Sequence, residues 1–116
     1  MKRFAMTCML KDDLDAIRKY EEYHAKPWPE VVKGGYEAGI RRAFIYRFGQ
    51  QLFMFMETVD DFDMERDMPK YMRDPKAREW DKLMKTFQTN FPGQPAGATW
   101  VPMKEIHVID HMMREG

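Results

Sequence analysis

Apolar positions along this 116-residue chain come in short blocks whose spacing switches between two periods. Phe4 to Leu10 is apolar apart from Thr7 and closes on Lys11-Asp12-Asp13, where either aspartate can cap a helix, so strand then helix is predicted. From Leu14 onward, Leu14, Ile17, Tyr20 and His24 recur in steps of three and four and predict one inward helical face. Pro27 and Pro29 break that ladder. Pro29-Glu30 then opens a second helix carrying Val31, Val32 and Tyr36, which Gly39 ends. Ile40 to Phe48 alternates as a strand should, Gly49-Gln50-Gln51 is a short connection, and Leu52 to Val59 completes a predicted β-hairpin. Asp60-Asp61 resembles another cap. The stretch 62–86 is helical in tendency with interruptions at Pro69 and Asp74-Pro75, which predicts two short helices. Phe91 to Thr99, with two prolines and two glycines, reads as an ordered loop, Val101 to Asp110 as a last strand, and 111–116 as a flexible tail.

The order is β-α-β-β-α-β with each helical segment divided in two, which is the ferredoxin-like pattern. An α+β fold follows: one antiparallel sheet with helices on one face, forming a single domain over residues 1–116. Phe53 and Phe55 alternate with Met54 and Met56 in one strand, so both faces of the sheet are apolar. A homodimer packed sheet against sheet is the expected cover for the second face.

Composition narrows the function classes. Nineteen Lys and Arg against nineteen Asp and Glu cancel, which removes the electrostatic footprint of a nucleic-acid binder. The single Cys8 has no partner for an intrachain disulfide and lies in an apolar run, as expected in a reducing, cytoplasmic setting. The apolar run after Met1-Lys2-Arg3 is too short for a signal peptide and no segment has the length of a membrane span, so neither export nor a membrane partner is expected. The chain contains no serine, which excludes a serine nucleophile. His107 and His111 are four apart in a predicted strand end, where that spacing does not bring two side chains to one face; no metal site is expected. No phosphate-cradling glycine motif occurs, so no nucleotide cofactor is implied. The twelve methionines fall mostly in strand and helix patterns and read as core filling.

The segment from Tyr20 to Glu30 carries the most unusual chemistry. His24 follows Tyr20 by one helical turn, and Trp28 stands where prolines open the next helix, a natural pocket wall. An imidazole there can exchange protons near neutral pH. The same spacing also suits a hydrogen-bonded core histidine among aromatics. Glu57 and Glu105, near strand ends, either face a pocket or lie exposed, and Trp80 on a helix is a core anchor or a ligand platform.

Taken together, Tyr20, Tyr23-His24, Trp28-Pro29-Glu30, Gly39-Ile40, Ile45 to Gly49, Leu52-Phe53-Met54, Glu57, Asp74-Pro75, Trp80, Leu83-Met84 and Glu105 resemble the L-rhamnose mutarotase family over nearly the whole chain. The Y-x-x-x-H-x-x-x-W-P-E arrangement and the W-x-x-L-M helix carry most of the likeness. The resemblance implies a dimeric α/β barrel, interconversion of sugar anomers, a monosaccharide substrate and no cofactor. It places an acid/base histidine at His24, a substrate-contacting tyrosine at Tyr20 and the tryptophan of the later helix at Trp80; Trp28 and Trp80 then offer flat surfaces to a substrate's C–H faces, and His24 works alone or with Tyr20 or Glu57 as the complementary, substrate-contacting acid/base. Two positions depart from the rhamnose enzymes: a second substrate-contacting tyrosine is replaced by Ala43, and a paired tryptophan by Asp81. These departures, with Ile45 to Gly49, the strand ending at Glu57 and the loop closing at Trp100 to Met103, resemble an L-fucose-associated branch. A small dimeric-barrel monooxygenase and a non-catalytic sugar-binding module are the competing functions on such a fold.

Overall fold

The computed structural model describes residues 1–110; the tail expected at 111–116 lies outside the described residues. Strand β1 (Lys2–Leu10) is followed by helices α1 (Leu14–Ala25) and α2 (Pro29–Ala38), then by the hairpin β2 (Ile40–Phe48) and β3 (Gln51–Thr58). Helices α3 (Met64–Tyr71) and α4 (Pro75–Lys85) lead to two short strands, β4 (Gln88–Thr89) and β5 (Val101–Met103). The sheet runs β2-β3-β1-β4, wholly antiparallel, and β5 also pairs β1. One edge position is therefore shared. β4 takes the Met9-Leu10 end of β1, and β5 takes Ala5 to Thr7.

Local chemistry explains the breaks between helices. Asp13, Asp63 and Asp74 each accept a backbone N–H from the first turn of α1, α3 and α4, at 2.9, 3.0 and 2.8 Å. The cap of α3 is thus Asp63 rather than the expected Asp60-Asp61, and Asp60 instead pairs with the N-terminal ammonium at 2.6 Å. Pro69 does not interrupt a helix. It sits inside α3, close enough to the end that the lost N–H costs one bond before the helix stops at Tyr71. Gly39 ends α2 at φ 107°, and a Cβ there would meet Val59 and Phe62 at 3.1 and 3.2 Å.

The register divides the sheet into two faces. Met6, Cys8 and Leu10 of β1 lie with Leu52, Met54, Met56 and Thr58 of β3 beneath the helices, and most of them are fully buried. The buried stripe of α1 is Ala16 and Tyr20, flanked by Ile17, Tyr23 and His24. Leu14, expected to face inward, is the first residue of α1 and is 87% exposed. On the other face lie Phe44, Tyr46, Phe48, Phe53 and Phe55, and Phe48 is 90% exposed.

Two expectations for the strands need correction. The hairpin turn is Gly49-Gln50, with Gln51 already paired to Phe48. The last strand ends at Met103 rather than Asp110. Met103 pairs Ala5; Lys104 to Ile106 leave the ladder although β1 continues to Lys2, and 107–110 run past the start of β1.

Candidate functional site

Three helical segments converge on one aromatic cluster over the helix-covered face of the sheet. α1 supplies Tyr20, Tyr23 and His24 in its last two turns; Trp28 is the N-cap residue of α2, held by the Pro27 and Pro29 that end one helix and begin the next; α4 supplies Trp80. The rings of Tyr20 and His24 are stacked with centroids 4.2 Å apart. Trp80 meets His24 edge-on at 5.2 Å, Trp28 at 5.3 Å and Tyr23 at 6.0 Å, so one indole ties both helical segments together. Lys76, one turn earlier on α4, holds its ammonium 5.9 Å from the Trp28 ring.

The imidazole has a defined orientation. His24 Nδ1 lies 2.9 Å from the Tyr20 carbonyl oxygen, which only accepts, so Nδ1 carries the proton and the neutral ring keeps its lone pair on Nε2. Burial lowers the His24 pKa, partly offset by that hydrogen bond, and the neutral form therefore dominates at pH 7. Tyr20 is 3% exposed, and burial pushes its phenol well above the ordinary value, so it stays protonated and serves as a hydrogen-bonding group. The arrangement offers a neutral base beside flat apolar faces, the requirements for handling a sugar's hydroxyls and C–H surfaces.

The remaining sequence-derived positions are placed unevenly. Ala43 lies on the helix-covered face beside Met56, exposed, two residues before Ile45, which packs against the core around Tyr20 and Trp80. Asp81 follows Trp80 but turns aside to pair with Lys85 at 2.8 Å, and it also raises the Tyr71 phenol, which burial pushes up to about 12. Glu57 is not brought to the cluster. It pairs across the open face with Arg42 at 3.4 Å, because strand alternation turns every second residue of β3 away from the helices. Glu105 likewise pairs with Arg3, at 2.6 Å. Among the described residues no group of three or more metal-ligating side chains occurs, and no helix is long and apolar enough to cross a membrane.

Sequence reasoning missed Gln88. It occupies the two-residue strand β4 opposite Leu10, hence on the helix-covered face, and its side chain lies beside the Tyr20 phenol. A two-residue strand has no period to detect, and only the polar residue between Phe87 and the following loop could have signalled it.

The antiparallel sheet with four helices on one face is the ferredoxin-like fold of the α/β-barrel class. Within that class, the family model for L-rhamnose mutarotase matches residues 3–109, and the chain belongs to that family. It is 36% identical over 113 residues to a UPF0734 protein of Dictyostelium discoideum, covering 94% of this chain and 90% of that one. It is also 35% identical over 102 residues to an L-fucose mutarotase of Xanthomonas campestris pv. campestris, covering 86% and 82%. Two solved structures share its fold at 18% identity, each covering 95% of this chain and 100% of the other. They are an L-rhamnose mutarotase from Formosa agariphila, at a TM-score of 0.68, and the tetracenomycin F2 cyclase of Streptomyces glaucescens, at 0.64. Members of the mutarotase family are isomerases that act on sugar anomers, and this chain is a sugar mutarotase by family.

Proposed function

We propose that the protein interconverts the α and β anomers of a 6-deoxyhexose, exchanging L-fucose faster than L-rhamnose, with His24 as the acid/base and Tyr20 as a neutral hydrogen-bonding partner. The observation that carries this reading is the fixed tautomer of His24, whose Nδ1–H is held by the Tyr20 carbonyl and whose Nε2 is left basic. Ring opening moves one proton from the anomeric hydroxyl to the ring oxygen while the bond between that oxygen and C1 breaks and a C1 carbonyl forms. Both oxygens are bonded to C1, so one basic nitrogen beside them can take the first proton and deliver it to the second. Rotation of the aldehyde and the reverse transfer close the other anomer. Trp28 and Trp80 provide surfaces for the sugar's C–H faces.

The fucose preference draws support from Ala43 and Asp81, where the resemblance to the rhamnose enzymes implies a tyrosine and a tryptophan, and from the relative named L-fucose mutarotase. Homodimer formation draws support from the exposed Phe44, Tyr46, Phe48 and Phe53 of the open face, and from the exposed Ile106 and Ile109 on the segment after β5. Light scattering at micromolar concentration should give twice the 14.0 kDa chain mass, and a monomer would refute the dimer. The buried free thiol of Cys8 suits a cytoplasmic location.

Anomer-exchange NMR on a panel of free sugars tests the function. Exchange of L-fucose above the uncatalysed rate is expected. Shifted sugar lines without exchange would indicate a binding module, and oxygen consumption with an aromatic substrate would indicate a monooxygenase.

A further inference from the structure

Gln88 is the one residue near the aromatic site with an unmet polar demand among the described residues. Its Oε1 is buried and accepts no hydrogen bond. Such an atom is costly to a fold, and a hydrophobic side chain of the same size would remove the cost, so an unpaired buried acceptor calls for an occupant that arrives later. The register fixes where the side chain goes. Gln88 stands opposite Leu10, whose side chain lies beneath the helices in the cluster that contains Tyr20, Trp80 and Met84. Tyr20 in turn stacks on His24.

We propose that Gln88 is a substrate-binding residue that determines specificity: its Oε1 accepts a hydrogen bond from one hydroxyl of the bound sugar, while the other end of the same amide faces the Tyr20 phenol. A sugar ring set against His24 brings several hydroxyl donors into an otherwise apolar cluster, and an amide oxygen is a neutral acceptor suited to one of them. The pairing of Gln88 with Leu10, which packs in one cluster with Tyr20, brings the amide to the Tyr20 phenol, and that contact opposes the upward push of burial on it. Gln88 thereby distinguishes sugars by the orientation of one hydroxyl, because a sugar that leaves the acceptor unpaired forfeits that bond and keeps the cost of the buried group. This inference rests on the mutarotase reading of the site.

The test compares the protein with Gln88→Met, which keeps the volume and removes both polar ends. Thermal unfolding and anomer-exchange kinetics on L-fucose and its monodeoxy analogues are measured on both proteins, and the side-chain amide 1H–15N signal of Gln88 is followed in the parent on titration with L-fucose. Removing the unpaired Oε1 offsets the loss of the amide's contact with the buried Tyr20 phenol, so the variant should unfold within a few degrees of the parent. It should show KM raised about tenfold on L-fucose with kcat little changed. On one monodeoxy analogue, the one lacking the partner hydroxyl, variant and parent should behave alike, and the Gln88 amide signal should move on sugar addition. An equal loss on every analogue, or an amide signal that does not move while the parent exchanges anomers, would overturn the Gln88 assignment and leave the mutarotase reading intact. A parent that neither exchanges any sugar nor shifts its amide signal would overturn both.

Discussion

Helix α2 contains two adjacent glycines whose substitution by alanine should have opposite effects. Helix propensity alone favours both changes, since glycine in a helix interior is about 0.5–1 kcal/mol less favourable than alanine. Gly35 obeys that rule, because a Cβ built there meets nothing within 4 Å. Gly34 does not. Its Cβ would stand 2.9 Å from the Tyr71 carbonyl oxygen, a backbone atom in the last residue of α3 that cannot swing aside as a side chain does. Overpacking of this kind costs about 1–3 kcal/mol, which exceeds the propensity gain, so a net loss of about 1 kcal/mol is expected for Gly34→Ala. For a chain of this size 1 kcal/mol moves Tm by about 4 °C. Thermal and urea unfolding followed by circular dichroism should therefore show Gly35→Ala slightly above the parent and Gly34→Ala about 4 °C below it. Equal stabilisation of both variants would refute the close packing of α2 on α3. That packing matters to the site, because the end of α3 leads through the Asp74 cap into α4 and Trp80.

Two further predictions concern the chemistry. His24 has a folded pKa lowered by burial, so its proton is held less tightly in the native state than in the unfolded chain. Its contribution to stability is then complete above the unfolded value of about 6.5 and is lost as pH falls through the folded value. Exchange activity should fall along the same acid limb, with its midpoint below about 6.5 in a kcat/KM profile, and a midpoint at or above that value would contradict a desolvated, neutral base. Asp81→Trp, which puts an indole in place of the carboxylate beside Trp80, should reduce the ratio of L-fucose to L-rhamnose exchange, and an unchanged ratio in parallel NMR assays would remove Asp81 from the determinants of specificity.

Much of this architecture was legible because its elements are long enough to show a period. The alternation of Phe53, Met54, Phe55 and Met56 marks a strand with two apolar faces, and the structure places its even residues under the helices and its odd ones on the open face. Tyr20, His24 and Trp28 were legible as a group because a helical turn and a pair of prolines fix their spacing locally. What escaped the sequence depends on pairing across the chain. Residues 107–110 cannot extend the last strand because β1 starts at Lys2, a limit set by residues about a hundred positions earlier. Glu57 turns away from His24 because of strand parity, which the residue type does not disclose. Gln88 belongs to a strand too short to have a pattern, and only the Leu10 register brings it beside Tyr20.

The central claim is that His24 moves the anomeric proton, and His24→Asn tests it most directly. The substitution removes the basic Nε2 and loses the ring contacts to Tyr20 and Trp80, each worth about 0.5–1.5 kcal/mol, so circular dichroism should report a folded chain with a lowered Tm. Anomer-exchange NMR on L-fucose, at a temperature where that variant is folded, should show the catalysed rate reduced about 10²- to 10⁴-fold. A folded His24→Asn variant that exchanges L-fucose at the parent rate would contradict the account.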